Sequence, residues 1–487
     1  MRLSELLEGR HPAPQNDPEI TFITDDTRRV IPGALFICVK GGRFDGHTAA
    51  ADMLEKGAAA VVCDHDLGLG DRQIVVPDTR AEYGALCAAW CGHPERKMRF
   101  IGVTGTNGKT TITTVIKYLL TAAGHKVGLI GTIQNEIGDQ ILHTENTTPV
   151  TLELFELYRK MYEAGCDYVV MEVSSFGLVQ KRIGPTHFDV AVFTNLTQDH
   201  LDYHMTMEAY YEAKRMLFDI CDVAVINTDD EYGIRLFQET TCAKYSYGRE
   251  AHDHVPAFAY APGKVRADGA SFTLHVSADH MDDRYYQIDM RMTGYFNIAN
   301  ATAAFAACSL LGDETLTVPG MLEALQSCPG VRGRCEVIPT GRDFSVICDY
   351  AHTPDAIENI LENVKLYTEG RLVCLFGCGG DRDRTKRPLM AQAAAKFADK
   401  LIVTSDNPRT EDPEAIIRDI LAGLTDSAVP YDTVIDRREA IAHAMRTAEP
   451  GDVIVLAGKG HEDYQIFGTE KKHFDEREVV ADILKTL

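Results

Sequence analysis

A lysine, four threonine hydroxyls and three glycines stand together in Gly102-Val-Thr-Gly-Thr-Asn-Gly-Lys-Thr-Thr111. An apolar strand pattern at Arg99 to Val103 precedes this run, and an amphipathic helix pattern begins near Thr110. Glycines let backbone N–H groups close on phosphate oxygens, and a helix N-terminus adds positive potential. In such a loop Lys109 reaches the β- and γ-phosphates and the Thr110 hydroxyl ligates Mg2+. The position five before Gly108 is Val103, so the loop is a narrow variant: Gly105, Thr106, Asn107, Gly108, Lys109, Thr110, Thr111. A glycine turn with a surface lysine is the bland alternative. The strand before and the helix after favour a nucleotide site.

Three further patches lie downstream. Glu172 closes the apolar run Tyr168–Val173. An acid at a strand's carboxyl end beside a phosphate loop suits a Mg2+ ligand, and a solvated strand-end acid is the competing reading. Asn195-Leu-Thr-Gln-Asp-His-Leu-Asp-Tyr-His204 follows the Val190–Phe193 strand pattern and holds two histidines and two aspartates. Metal or phosphate work competes there with an Asx-capped polar loop, and the spacing fits no zinc template. Lys214 lies in the helical stretch Tyr210–Phe218. It is either a snorkelling surface lysine or something more specialised. Beside Mg2+ an ammonium is repelled, whereas carboxylation by CO2 turns it into an anionic carbamate able to bind metal.

Four polar loops close successive strand patterns near the C-terminus: Asp349-Tyr-Ala-His-Thr-Pro354, Gly377-Cys-Gly-Gly-Asp-Arg-Asp383, Ser405-Asp-Asn-Pro-Arg409 and Gly458-Lys-Gly-His-Glu462. One such loop is weak, because turns favour these residues anyway. Four on one sheet edge imply a binding face. Arg382 and Arg409 can fork onto carboxylate and Glu462 can take an amino group, so an amino acid matches that face.

The elements that position these groups fall into three blocks. Residues 1–97 read as a small α/β unit. Residues 98–330 read as a mostly parallel sheet, with a small antiparallel side sheet between about Tyr245 and Gln287. Residues 331–487 follow a Pro/Gly/Arg linker and read as a doubly wound α/β domain. The chain has 487 residues, 45% of them hydrophobic and 25% charged, enough for several cores. A net charge of -23 makes nucleic acid an unsuitable partner. Thirteen scattered cysteines form no paired framework and read as buried thiols in a reducing compartment. There is no secretory pattern and no apolar run long enough for a bilayer, so a cytoplasmic protein without membrane insertion is expected.

With these motifs in hand, the whole chain resembles the Mur ligase family of ATP-dependent amide-bond synthetases. The resemblance rests on GTNGKTT at Gly105–Thr111, NTTP at Asn146–Pro149, EVSS at Glu172–Ser175, NLTQDHLDYH, YxxAKxxLF, GxFNxxN at Gly294–Asn300, DYAHTP, GDRDxxKRP and GKGHE. It implies ATP and Mg2+ as cofactors and a monomer acting in peptidoglycan precursor synthesis. Lys109 and the loop would hold the ATP phosphates, Thr110 and Glu172 one Mg2+, and His200 with a carbamylated Lys214 the second. Asn297 and Asn300 would approach the adenine, and Arg334, Asp349 and His352 the nucleotide. Asp25, Thr27, Gly42, Arg43 and Phe44 would hold the uridine end of a UDP-MurNAc-dipeptide. Asn146, Thr147, Thr148, Ser174, Gln180 and Arg182 would line its muramoyl-peptide channel. Asp406, Asn407, Pro408 and Arg409, with Arg382, Gly458 and Glu462, would take the amino acid. The arginine of that tetrad is similar to the signature of members adding meso-diaminopimelate. A lysine-adding sibling and a folylpolyglutamate-type ligase are the near alternatives, and a nucleotide-switch binding protein is the alternative of another class. Two departures stand out: Phe176 replaces a frequent histidine after EVSS, and Thr27 replaces a serine.

Overall fold

The computed structural model describes residues 1–42, 44–251, 255–278 and 281–487. The chain divides into two compact units. One comprises Met1–Gly248, Pro256–Phe258 and Ala303–Met321; the other comprises Arg249–Val255, Ala259–Thr302 and Leu322–Leu487. The architecture is mixed α/β throughout.

In the first unit a small parallel sheet runs in chain order through Phe22–Thr24, Ala34–Ile37, Ala60–Cys63 and Gln73–Val75. The larger sheet runs Ala243–Arg249, Cys221–Asn227, Phe188–Phe193, Arg99–Thr104, Tyr168–Glu172 and Val127–Ile130, all parallel. A short antiparallel meander, Asn135–Ile137 and Gln140–Leu142, extends its far edge. The strands that read as apolar runs are those buried on both faces: Phe100, Ile101, Val103, Val169, Val170 and Met171 show no exposure. Arg99–Thr104 is central, and its carboxyl end opens directly into the glycine loop.

The second unit contains a sheet ordered Glu336–Ile338, Ser345–Asp349, Val453–Ala457, Leu372–Phe376, Lys400–Val403 and Tyr431–Thr433. All neighbours after the first pair are parallel. Side chains alternate across it. Ile347, Cys374, Val403 and Val455 join one buried cluster, while Val346, Val373, Ile402 and Ile454 join the opposite one. Parallel strands end on the same edge, so the four polar loops share the carboxyl edge of this sheet. Gly269–Val276 and Arg284–Met290 pair antiparallel.

Helix starts follow the side chains that the sequence supplies. Asp78, Thr206, Asp230, Thr353, Asp412, Asp436 and Asp475 each accept a backbone N–H of the helix they precede. All thirteen cysteines are free thiols, Cys242 half-buried and the others buried. Among the described residues no helix is long and apolar enough to cross a membrane.

Arg437 and Glu476 form a fully buried ion pair at 2.8 Å. Arg437 also donates to the carbonyls of Ser405 (3.4 Å) and Ala457 (2.8 Å), so it ties two strand ends at the carboxyl edge. Arg437→Met is expected to leave Glu476 buried and uncompensated and to lower unfolding free energy by about 3–5 kcal/mol in denaturant titration.

Candidate active site

The glycine loop is shaped by close approach. Gly105 has φ 144° and Gly108 φ 88°, both in the region that favours glycine. A Cβ at Gly105 would lie 1.8 Å from Thr194 Oγ1. The loop is clamped from the Asn195 segment: Thr106 N donates to Asn195 O (2.8 Å), Asn107 N to Asn195 Oδ1 (3.0 Å), and Thr194 Oγ1 to Asn107 O (2.6 Å). Gly108 is the N-cap of the helix Lys109–Ala122, so the first-turn N–H groups of Thr110 and Thr111 begin at the loop.

Two ammonium groups converge on one oxygen. Lys109 Nζ donates to Gly105 O (2.9 Å) and Thr106 O (2.8 Å), and Lys214 Nζ donates to Gly105 O (2.7 Å). Lys214 is 2% exposed and stands over the Tyr210 ring. Burial, and then the charge of Lys109, push its ammonium pKa well below the usual lysine range.

Glu172 ends its strand 1% exposed. Thr132 N and Thr132 Oγ1 donate to its two oxygens, each at 2.9 Å, and Thr147 Oγ1 lies 2.9 Å from Thr132 Oγ1. Gly131 has no room for a side chain, since a Cβ there would meet Glu172 Oε1 at 2.6 Å. Thr148 Oγ1 bridges Glu172 O and Ser174 N. His200 sits at φ 53° with its side chain half-exposed, packed edge-on against Phe176.

Arg182 donates to Thr148 O (2.7 Å) and, through two nitrogens, to Gln180 Oε1. Arg182, Gln180 and Asp25 line one pocket of about 50 Å³ with Arg80 and Tyr83, so the structure joins the first segment to the Gln180 segment there. Asn146, Gly42 and Phe44 are exposed and Thr27 is half-buried. Arg43 lies outside the described residues.

In the second unit Asp349 accepts from Cys335 N (2.6 Å) and Ala351 N (2.8 Å), and Arg334 stacks over Tyr350 beside it. His352 Nδ1 lies 2.8 Å from Tyr350 O. Asn297 and Asn300 are 2% and 8% exposed and bond to each other within the helix Tyr295–Ser309.

Asp406, Asn407, Gly458 and Glu462 come together around Lys459, which shows no exposure. Its Nζ lies 3.3 Å from Asp406 Oδ1, 3.2 Å from Asn407 Oδ1 and 3.0 Å from Glu462 Oε2. The sequence pattern singled out Gly458 and Glu462 but passed over this lysine. Its signal was a cation set between two glycines at a strand end. Pro408 is buried. Arg409, at φ 52°, is pinned to the Tyr464–Phe467 strand by Arg409 N to Ile466 O (3.0 Å). Its guanidinium donates to the carbonyls of Gly380 (2.9 Å) and Asn407 (3.5 Å). Among the described residues no carboxylate pairs with Arg409 or with the exposed Arg382, whereas Arg387 nearby takes Glu411 and Asp419 at 2.8 Å each.

A phosphate-type loop on one parallel sheet and a charged carboxyl edge on another define an ATP-dependent α/β ligase. Family profiles match in series: "Mur ligase family, catalytic domain" over residues 19–88, "Mur ligase middle domain" over 103–308 and "Mur ligase, glutamate ligase domain" over 333–460. The chain belongs to the Mur ligase family. A Syntrophomonas wolfei protein named UDP-N-acetylmuramoyl-L-alanyl-D-glutamate–2,6-diaminopimelate ligase is 43% identical over 497 residues, covering 100% of this chain and 99% of its own. A Bacillus cereus protein of the same name is 42% identical over 496 residues, covering 99% and 98%. A solved structure carrying that name aligns with TM-score 0.73 and 32% identity, covering 100% of this chain and 99% of that one. The fold is also that of the Thermotoga maritima MurF ligase in complex with ADP, with TM-score 0.58, 19% identity and coverage of 95% and 97%.

Gly105→Ala adds strain at a left-handed position as well as the Thr194 clash, at about 1–3 kcal/mol for the backbone alone. Titration calorimetry with ATP is expected to show binding weakened at least about tenfold while the variant keeps its far-ultraviolet circular dichroism.

Proposed function

We propose that this chain joins 2,6-diaminopimelate to UDP-N-acetylmuramoyl-L-alanyl-D-glutamate at the expense of ATP, a step in building the peptidoglycan precursor. The observation that carries the choice of amino acid is Arg409, a half-buried guanidinium with carbonyl partners and, among the described residues, no carboxylate, in the same loop as Asp406, which with Glu462 meets Lys459. Diaminopimelate differs from lysine by one distal carboxylate, which a guanidinium fork binds bidentately. The names of the full-length relatives support the same reading.

In this reading residues 1–97 hold the uridine end, 98–330 bind ATP and 331–487 bind the amino acid. Asp25, Gln180 and Arg182 take the UDP-muramoyl substrate, with Thr27, Gly42, Arg43, Phe44, Asn146, Thr147, Thr148 and Ser174 along its length. The loop N–H groups and Lys109 hold the ATP phosphates. Asn297, Asn300, Arg334, Asp349 and His352 address the rest of the nucleotide. The D-Glu side-chain carboxylate attacks the γ-phosphorus, the bond to the β-phosphate oxygen breaks, and ADP leaves an acyl phosphate. The neutral amine of diaminopimelate then adds to the acyl carbon. The tetrahedral adduct expels phosphate and forms the amide. Lys109 counters the repulsion between two anions in the first step.

Glu172 with the hydroxyls of Thr132 and Thr147 is an all-oxygen set, the donor chemistry that Mg2+ selects. Mg2+ would be held there together with Thr110, and a second ion by His200 and Lys214. When bound, it neutralises phosphate charge. The depressed pKa of Lys214 supports carbamylation, because CO2 adds to the neutral amine. The product is an anionic oxygen ligand in place of a repelling cation.

Three outcomes test the reading. Amide formation from the UDP-dipeptide, followed by mass spectrometry, is expected with diaminopimelate and not with L-lysine. Arg409→Ala is expected to lose about 100-fold in kcat/KM for diaminopimelate and its preference over lysine; equal turnover of both amino acids by the unmodified protein would sink the acceptor assignment. Lys214→Ala is expected to lose activity that high CO2 leaves lost and a small added carboxylate partly restores, and full activity of this variant would rule out the carbamate.

A further inference from the structure

The cluster at the end of the Val453–Ala457 strand holds more than a substrate contact. Lys459 is wholly buried, yet three oxygen acceptors surround its Nζ within 3.3 Å. Two of those acceptors are carboxylates, Asp406 and Glu462. The third, Asn407 Oδ1, also accepts Ile466 N at 3.0 Å. With its oxygen taken by two donors the Asn407 amide has one orientation, and its Nδ2 turns to Glu462 Oε2 at 2.9 Å. A primary amide nitrogen carries two N–H groups, so one donor is left over.

We propose that Lys459 is a positioning residue of the amino-acid site: its ammonium locks Asn407 as a hydrogen-bond donor and cancels one of the two carboxylate charges of Asp406 and Glu462. The inference rests on the acceptor reading above. Two carboxylates and one ammonium leave a single negative charge, the complement of one substrate ammonium. The locked Asn407 donor and the guanidinium of Arg409 serve substrate carboxylates.

The surroundings hold this arrangement rigid. Gln465 Nε2 donates to Asp406 O at 2.8 Å, and a Cβ at Gly458 would stand 2.7 Å from Asp406 Oδ2. Burial by itself would raise the Asp406 pKa, but Lys459 and Arg437 overcome it and hold the carboxyl below its usual range. Removing the lysine charge leaves two carboxylates facing each other with no cation between them, and takes away the donor that holds the Asn407 amide in its orientation.

The test is steady-state kinetics of Lys459→Met and Lys459→Arg with diaminopimelate varied at saturating ATP and UDP-dipeptide, and with ATP varied in turn. Thermal unfolding and ATP binding establish that each variant is folded. If Lys459→Met does not fold, Lys459→Gln, whose amide still satisfies part of the cluster without a charge, takes its place. The expected result is a KM for diaminopimelate raised about 30-fold or more with the KM for ATP within about twofold, and partial rescue by Lys459→Arg. A folded neutral variant with an unchanged KM for diaminopimelate overturns the proposal alone, as does an equal loss toward ATP and diaminopimelate. An unmodified protein that forms no amide from diaminopimelate overturns the acceptor reading, and this inference with it.

Discussion

Two lysine side chains end on the carbonyl oxygen of Gly105, and much of the first unit is arranged to keep them there. One carbonyl cannot balance two positive charges. Lys109 is half-buried at the first position of its helix. Lys214 is enclosed, with the Tyr210 ring on one side, and its charge is penalised twice: by lost hydration and by its neighbour. The two lysines therefore divide: Lys109 is half-buried at the loop, and Lys214 is enclosed with its charged form disfavoured. The division depends on the backbone reaching in close, which only a glycine at φ 144° beside Thr194 permits. The Asn195 segment fixes that backbone with three hydrogen bonds and so fixes the carbonyl on which both lysine nitrogens end.

The second unit solves the reverse problem. Here carboxylates crowd together and buried cations separate them. Arg437 pairs with Glu476 and gathers the carbonyls of Ser405 and Ala457, and Lys459 stands among Asp406, Asn407 and Glu462. The strand ends supply the positions, and the buried cations set the spacing between them. A buried ion pair adds little net stability over a well-packed apolar pair, but breaking one side of it is costly. These cations therefore keep a polar edge in one geometry more than they strengthen the fold. A chain of net charge -23 can still receive anionic substrates, because a few enclosed cations set the local potential.

The elements legible in the sequence were those whose burial writes itself into residue type. Ser345–Asp349, Leu372–Phe376 and Val453–Ala457 stand where their apolar runs placed them, because parallel strands covered on both faces tolerate little else. The parallel order of these strands also delivers the four polar loops to one edge, as the pattern of loops implied. Short strands with polar faces left no such trace. Tyr431–Thr433 and the hairpin Tyr464–Phe467 with Glu470–His473 are largely exposed and lack a run to read. The glycine loop was legible because its chemistry is local. Lys459 was not, because its meaning comes from Asp406, more than fifty residues earlier. Thr132 escaped for the same reason, since its tie to Glu172 spans forty residues.

Arg409 and Arg387 show two guanidinium groups of one edge held in different ways. Arg387, close by, is completely enclosed and takes two carboxylates of its own chain. Arg409 lies on a backbone at φ 52°, a conformation costly for a side chain of this size, and its strand bridge to Phe467 holds it there. The chain thus maintains a strained residue whose guanidinium meets carbonyl oxygens, while acidic partners that could satisfy it, such as Glu411, are spent on Arg387 and Arg384. A guanidinium that pairs with no carboxylate among the described residues would favour a ligand that brings one. It also penalises a ligand that does not, because desolvating an unpaired cation costs more than a lost contact. On the proposed reading, discrimination between two amino acids that differ by one carboxylate would depend on withholding a partner, and the left-handed turn at Arg409 would be the device that does so.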